Sequence, residues 1–469
     1  MVIPQTTARA RMVLALVIAG SVLVVIDMTI VSVGLPSVRA DLGGTPADLQ
    51  WVVIAYLVSM GAVTQVAGSL SDRLGRRRVY LAGIVLFTLS SLACGLAPNL
   101  PLLDVARAVQ GIGGAVLMAN GMPLIAQQYQ GQRRNMAIAA WSTAGTAAGL
   151  IAPVFGGLLI EGLSWRAMFL LNVPVGVLAF ALASANLPRD TDKDSGKPGI
   201  DWAGAGLLIC SLGLGTFAML RGEDQGWGSA TTLIQFAVAA ALLLVFLRVE
   251  SKAATPTLDL ALFRVPAFTG AALAIFMSRM LTIGGTVYFI QYFQESLGLT
   301  PTQSGFLLVP VSVAHMATGM LGGWLQSRLP SGYVIALGYG CRAIGAAWLG
   351  LAFTATAEPW LLAVPLLLWG AGGGIAGAPV MSVAVGAVDD RHAGMVSGTV
   401  TSLASIGAGV GTAALGVLYQ RLAGTPGTAE SIADGASAVL YCSAALSVLI
   451  VAVVLVLIKP VADGPRKRT

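Results

Sequence analysis

Two stretches of this 469-residue chain decide how it folds: GSLSDRLGRRRVYLAG, Gly68 to Gly83, and GWLQSRLPSGYVIALG, Gly323 to Gly338. They agree at six of sixteen positions, and each is a short turn joining two long apolar runs. The first lies between runs at about 49–71 and 79–97, the second between runs at about 303–325 and 333–354. Counting the runs that intervene pairs the second run with the tenth. An offset of eight is what two six-helix halves separated by an inserted two-helix hairpin produce.

Composition agrees. Hydrophobic residues make up 56% of the chain and charged residues 10%, with a mean hydropathy of +0.82. A soluble domain carries about 25% charged residues, so this chain lacks the polar surface to face water and belongs in a bilayer. At about 20 residues per crossing, fourteen crossings use ~280 residues and leave ~190 for loops and ends. That excludes a large soluble catalytic domain and makes nucleic-acid binding a poor reading of the +6 net charge.

Runs long enough to cross fall at about 12–35, 49–71, 79–97, 101–126, 137–160, 166–186, 200–220 and 230–248. Six more follow at about 268–293, 303–325, 333–354, 359–382, 393–420 and 435–458. They must be helices, because lipid satisfies no open backbone hydrogen bond and the runs are too long for barrel strands. The expected fold is an all-α integral membrane protein with 14 transmembrane helices: two pseudo-symmetric six-helix bundles plus a two-helix central hairpin. Its divisions are an N-terminal bundle at 1–187, a linker at 188–199, the hairpin at 200–248, a second linker at 249–267, a C-terminal bundle at 268–458 and a basic tail at 459–469.

Charge orients these spans. With the N-terminus inside, 20 of the 27 Lys and Arg residues fall in cytoplasmic segments, among them Arg9, Arg11, Arg73, Arg76, Arg77, Arg78, Arg133 and Arg134. Only Arg39, Arg166, Arg221 and Arg421 fall outside, and Arg107, Arg279 and Arg342 lie within spans. The positive-inside rule therefore supports an even count with both termini cytoplasmic. The opening MVIPQTTARAR resembles the basic region of a signal peptide, but the apolar run that follows extends to about Pro36, as a retained first span would. Cys94, Cys210, Cys341 and Cys442 all sit in apolar runs and read as packing residues. With His315 and His392 as the only histidines and no C-x-x-C, neither a metal nor a cofactor is expected.

Charges inside the spans are the functional candidates. Asp27 sits mid-span in VLVVIDMTIVSVGLP, where a carboxylate is costly unless it faces the bundle interior. Burial disfavours its charged form, so it is a candidate proton or cation carrier; a structural hydrogen bond to a neighbouring helix is the alternative. Arg107, in LLDVARAVQGIGGA, follows Asp104 by three residues on one helical face, which fits either a local ion pair or a transport role that biases Asp27. Arg279 and His315 form a further polar pair in the second half, to stabilise helix contacts, line a cavity or pass a proton. In GSLSDRLGRRR, Gly68, Asp72, Arg73, Gly75 and Arg76 read as a gate latch, although the arginines also serve topology. In GTAAGLIAPVFGGLL, Gly145, Gly149, Gly156 and Gly157 around Pro153 read as a bending or sealing interface, or as ordinary close helix packing.

These residues resemble the major facilitator superfamily, and more narrowly its fourteen-span drug/proton antiporter group. Asp27 within VVIDMTIVSVGLP is similar to the group's first-span signature, and Gly68, Leu70, Asp72, Arg73, Gly75, Arg76 and Arg77 match its loop between spans 2 and 3. Arg107, Gln110, Gly111 and Gly113 match the fourth-span signature associated with proton coupling, and Gly145, Gly149, Pro153, Gly156 and Gly157 the fifth-span antiporter signature. WRAMFLLNVPVG, Trp165 to Gly176, resembles the family's entry into span 6. Two departures stand out. Ala152 replaces the glycine usual before the span 5 proline, and Pro330 and Ser331 stand in the second loop copy where the first has Gly75 and Arg76.

The resemblance implies alternating access between two bundles, with an inward proton exchanged for an outward substrate. Asp27 would contact the proton or the cation, Arg107 would tune the exchange, and His315 would join proton transfer. Trp51, Tyr56, Phe276, Met280, Tyr288, Phe289 and Met316 would form an accommodating pocket. The expected function is a multidrug efflux transporter for hydrophobic, often cationic compounds, multi-pass in a bacterial cytoplasmic (inner) membrane and driven by the proton gradient. The alternative is a dedicated exporter of one endogenous metabolite, peptide or biosynthetic product. Convergent nucleophile, base and metal ligands are absent from the sequence, as is a G-x-x-x-x-G-K-[ST] loop, which weighs against an enzyme or an ATP-driven pump. A channel would need a continuous polar pore.

Overall fold

The computed structural model describes residues 7–188, 202–252, 260–387, 393–424 and 427–458. Thirteen helices among them are long and apolar enough to cross a membrane, and a bent pair at Met136–Gly149 and Ile151–Gly162 makes the fourteenth crossing. In chain order they are α1 (Thr7–Leu42), α2 (Pro46–Leu74), α3 (Arg76–Gly95), α4 (Leu100–Gln128), α5 (Gly131–Gly162), α6 (Ala167–Asn186) and α7 (Trp202–Gln225). The series continues with α8 (Ala230–Glu250), α9 (Pro266–Ser296), α10 (Pro301–Gln326), α11 (Ser331–Ala352), α12 (Pro359–Gly386), α13 (Ala393–Ala423) and α14 (Ala429–Leu457). No strand occurs among the described residues. All but the first residue of the expected 188–199 linker, parts of the 249–267 linker and the 459–469 tail lie outside the described residues, as do Arg391 and His392.

Local chemistry sets the helix ends. Thr45 and Asp48 form a capping box at the start of α2, with Pro46 at the first helical position where its missing N–H is no loss. Gly75 ends α2 with φ of +101°, and its N–H bonds back to the Ser71 carbonyl at 3.1 Å, so α3 can begin at the next residue. A side chain at Gly75 would be strained in that conformation. Two turns of π-helix interrupt α9, at Met280–Gly284 and Tyr292–Ser296. A break at Leu308 divides α10, two residues before Pro310.

Packing repeats with the period set by the two loop copies. In the first six helices α2 and α3 pack on α4, α1 on α5, and α3 on α6; eight helices later α10 and α11 pack on α12, α9 on α13, and α11 on α14. The most extensive contacts between the groups are α2 with α13 and α5 with α10. They exchange when the groups are exchanged, as a two-fold axis between them requires. Of the hairpin, α7 packs on both α2 and α13, while α8 turns Leu233, Ile234 and Leu244 outward to where lipid would lie. Close approach is carried by glycines: a Cβ at Gly113 on α4 would meet the Phe87 backbone nitrogen of α3 at 2.7 Å.

At the end of the bundle opposite the chain termini, the two groups also hold one another through polar contacts. Arg39 on α1 pairs with Glu295 on α9 at 3.6 Å, Gln294 donates to the Val33 carbonyl at 3.1 Å, and the Thr302 N–H donates to Glu161 at 2.8 Å. A cavity of about 340 Å³ lies here, lined in part by Arg39, Gln291, Glu295 and Tyr419.

Candidate functional site

Four helices converge on Asp27. Its side chain is wholly buried and accepts three hydrogen bonds: from Arg107 Nη1 of α4 at 2.6 Å, from Gln110 Nε2 of α4 at 2.8 Å and from Asn172 Nδ2 of α6 at 3.0 Å. Arg107 and Gln110 can act together because three residues along a helix share a face. Arg107 also donates through Nε to the Val52 carbonyl of α2 at 2.8 Å and through Nη1 to Gln110 Oε1 at 2.5 Å. Its guanidinium lies over the Tyr56 ring, 4.2 Å from the centroid, and 5.5 Å from that of Phe169. Ser91 on α3 completes the set, accepting from Gln110 at 2.7 Å and from Asn172 at 3.3 Å. A charged pair in hydrocarbon is tolerable only when satisfied in this way.

The expected local pair between Asp104 and Arg107 does not form. Arg107 reaches across instead to the Asp27 carboxylate of α1 and the Val52 carbonyl of α2, and Asp104 Oδ1 is left without a hydrogen-bond partner.

The remaining candidates are scattered. Tyr56 belongs to the Asp27 network through Arg107. Trp51 packs on Phe217 of the hairpin, with centroids 6.3 Å apart, and Phe276 joins the apolar cluster of Leu208 and Phe246, also hairpin residues. Tyr288 donates to the Thr412 carbonyl and lies against Tyr419, while Phe289 meets Phe353 and Trp369 edge to face. Met280 is buried where α9 presses on Gly411 of α13, and Met316 is exposed on the outer side of α10. His315 lies in the second half, outside the Asp27 network. It is beside Arg342, and a Cβ added at Gly373 would strike both the Arg342 guanidinium and, at 2.9 Å, His315 Nδ1. Arg279 is near enough for its charge to act on both.

In the loop after α2, Arg76 donates to the Pro123 carbonyl at the end of α4 at 3.2 Å and Arg77 to the Ser184 carbonyl of α6 at 2.5 Å, tying three helix ends together. Gly75 makes the turn, Gly68 faces open space, Arg73 follows in the last turn of α2, and the Asp72 side chain lies outside what the structure describes. The α5 glycines divide by face. Gly149 and Gly156 lie against Val25 and Ile30 of α1, whereas Gly157 lies on the backbone of Pro301 and Thr302 in α10. Pro153 and Val154 lie against Gly305 of the same helix, and Gly145 has nothing near it. The axis of α5 bends by 43° at this centre.

Sequence reasoning assigned no role to Asn172, Ser91 or Arg342, and took Gln110 only as a motif match. Neutral amides and hydroxyls carry no charge to mark them, but Arg342 was visible as a charge inside a span. Among the described residues no group of three or more His, Cys, Asp or Glu could hold a metal.

Comparison with known proteins agrees with this architecture. The family profile described as Major Facilitator Superfamily matches residues 17–412. The cephamycin export protein CmcT of Amycolatopsis lactamdurans is 32% identical over 91% of this chain and 88% of its own length. The multidrug resistance protein Stp of Mycobacterium tuberculosis is 31% identical over 87% of this chain and 75% of its own. Among solved structures, that of a D-xylose–proton symporter superposes with a TM-score of 0.68 over 96% of this chain and 98% of its own at 14% identity, a likeness of fold. Fourteen apolar helices, packing that repeats at an offset of eight, and a profile match over most of the chain lead to one assignment: this is a membrane transporter, not an enzyme, and it belongs to the major facilitator superfamily.

Proposed function

We propose that the protein is a proton-coupled exporter that carries a narrow set of small molecules, one biosynthetic product or its close relatives, out of a bacterial cell. The two moving units are residues 1–187 and 268–458, with the 200–248 hairpin packed at their α2–α13 seam. The excess of Lys and Arg in alternate loops puts both termini in the cytoplasm of a cytoplasmic (inner) membrane. Polar contacts then close the exterior end, so the resting molecule offers its interior to the cytoplasm. The functional unit is a single chain with no cofactor, and the proton gradient supplies the energy.

One observation carries the coupling reading: Asp27 is completely buried and held by donors from α4 and α6, so releasing or binding a proton there changes what those helices can hold. The same geometry weighs against a broad exporter of lipophilic cations. The buried carboxylate that would attract such a compound is already taken up by Arg107, and the expected aromatic pocket residues lie in separate places. The cephamycin exporter supports a dedicated substrate, and the multidrug relative keeps the broad reading as the alternative.

Flux in proteoliposomes with an imposed proton gradient separates the two. The wild type is expected to move few members of a panel combining ethidium-like cations with secreted antibiotics, a cephamycin among them, and Asp27→Asn to move none while still inserted and folded. Broad movement of the cations would restore the multidrug reading, and wild-type flux in Asp27→Asn would remove Asp27 from coupling.

A further inference from the structure

We infer that the second half holds an anion-binding site, built from Arg342 and Arg279 beside His315, which recognises a carboxylate or similar acidic group on the exported molecule. This deepens the export reading above and rests on it.

Arg342 stands in the middle of α11 and is 2% exposed. Its guanidinium crosses to α9, where Nη1 approaches the Ser278 carbonyl and hydroxyl at 3.3 and 3.4 Å and Nη2 donates to the Thr282 hydroxyl at 2.9 Å. The Nε–H has no acceptor. Trp369 and Tyr339 offer ring faces at 5.1 and 5.9 Å. Every one of these partners is neutral, whereas a buried cation ordinarily has a counter-charge.

Among the described residues, no carboxylate of this half pairs with Arg342. Between Pro266 and Ile458 the carboxylates are Glu295, Glu358, Asp389, Asp390, Glu430 and Asp434. Glu295 ends α9 and pairs with Arg39, Glu358 precedes α12, Glu430 opens α14 with Asp434 exposed about one turn further on, and Asp389 and Asp390 lie outside the described residues. Among the described residues none lies at the level of Arg342, in the middle of its span. In the first half the buried arginine is matched by Asp27; in the second no described carboxylate matches it.

Two further positive or donor groups crowd the same place. His315 and Arg342 both border the missing Cβ of Gly373, and the charge of Arg279 acts on both. Arg279 is exposed, whereas Arg342 is buried. Ser278, Arg279 and Thr282 also flank or occupy the π-turn at Met280–Gly284, and such turns recur at functional sites. An unsatisfied guanidinium fork in a low-dielectric interior is matched by a planar anion with two oxygens, which can take the idle N–H groups pairwise. An ammonium group would instead be repelled by both arginines.

The test uses the full chain in nanodiscs with three probes of one shape: 2-naphthoate, its methyl ester and 2-naphthylmethylammonium. Thermal unfolding is expected to show stabilisation by the carboxylate alone. Its apparent affinity should fall roughly tenfold or more in Arg342→Met, recover in part in Arg342→Lys, and weaken several-fold in Arg279→Gln. Should Arg342→Met not fold, Arg279→Gln, with its exposed side chain, carries the test. Stabilisation by the ammonium compound equal to that by the carboxylate would overturn the site, as would no carboxylate-selective effect or unchanged affinity in the variants. Gradient-driven flux of 2-naphthoate is measured in parallel. Selective binding without any flux overturns the export reading and leaves the site standing; flux of neutral or cationic compounds without carboxylate binding does the reverse.

Discussion

At Asp27 three donors surround one carboxylate, and removing them one at a time should have unequal effects. Arg107→Ala leaves the buried carboxylate with two amide donors, and breaking a buried pair from one side costs about 3–5 kcal/mol. The double variant Arg107→Ala/Asp27→Asn removes the orphaned charge, so it should regain part of that loss in a thermal-unfolding cycle. Additive losses would show that the two residues do not interact in the folded protein. Asn172→Ala removes one hydrogen bond to a charged group, worth about 1.5–3 kcal/mol, and should lower the proton-driven rate without abolishing it. At this scale the sequence announces only what is costly. Asp27 and Arg107 stand out because charges in apolar runs are rare, but nothing near Asn172 marks it as a partner of a residue 145 positions away. Arg342 was equally visible and could be read only as an embedded charge, because its lack of a counter-charge depends on where the other helices run.

Between residues and the whole, α5 shows how one small-residue pattern serves different faces. Gly157→Leu forces α5 away from the backbone of Thr302 and should stop transport in a protein that still inserts, because this seam is one of the two most extensive that join the halves. Gly145→Ala, in the same motif, meets nothing within 4 Å and should transport at the wild-type rate. Vesicle flux with matched expression checks both, and a loss in Gly145→Ala equal to that in Gly157→Leu would mean that the motif acts through helix flexibility rather than contact. The spacing of these glycines was legible as close packing. Which glycine meets α1 and which meets α10 was not, since helical periodicity sets faces relative to one another but not the neighbour each face meets. Helix ends also ran past the apolar runs, as in α1, which spans Thr7–Leu42 where the run covers about 12–35, because polar turns continue a helix without contributing hydropathy.

Across the whole molecule, the six matching positions in two loops were enough to give an offset of eight, and the helix contacts repeat with the same offset. The repeat was legible because it is carried by turns, whose sequence is constrained by backbone geometry and charge. The seams α2–α13 and α5–α10 were not, because they depend on how two similar bundles face each other. The polar contacts between Arg39 and Glu295 and between Gln294 and Val33 hold one end shut, so the account turns on that end opening when Asp27 is neutralised. The most direct test is the distance between spin labels placed on α1 near Arg39 and on α9 near Glu295, measured in nanodiscs for the wild type and Asp27→Asn. The account predicts a short distance in the wild type at neutral pH and a substantial longer-distance population in Asp27→Asn. A single short distance in both would contradict coupling of Asp27 to alternating access.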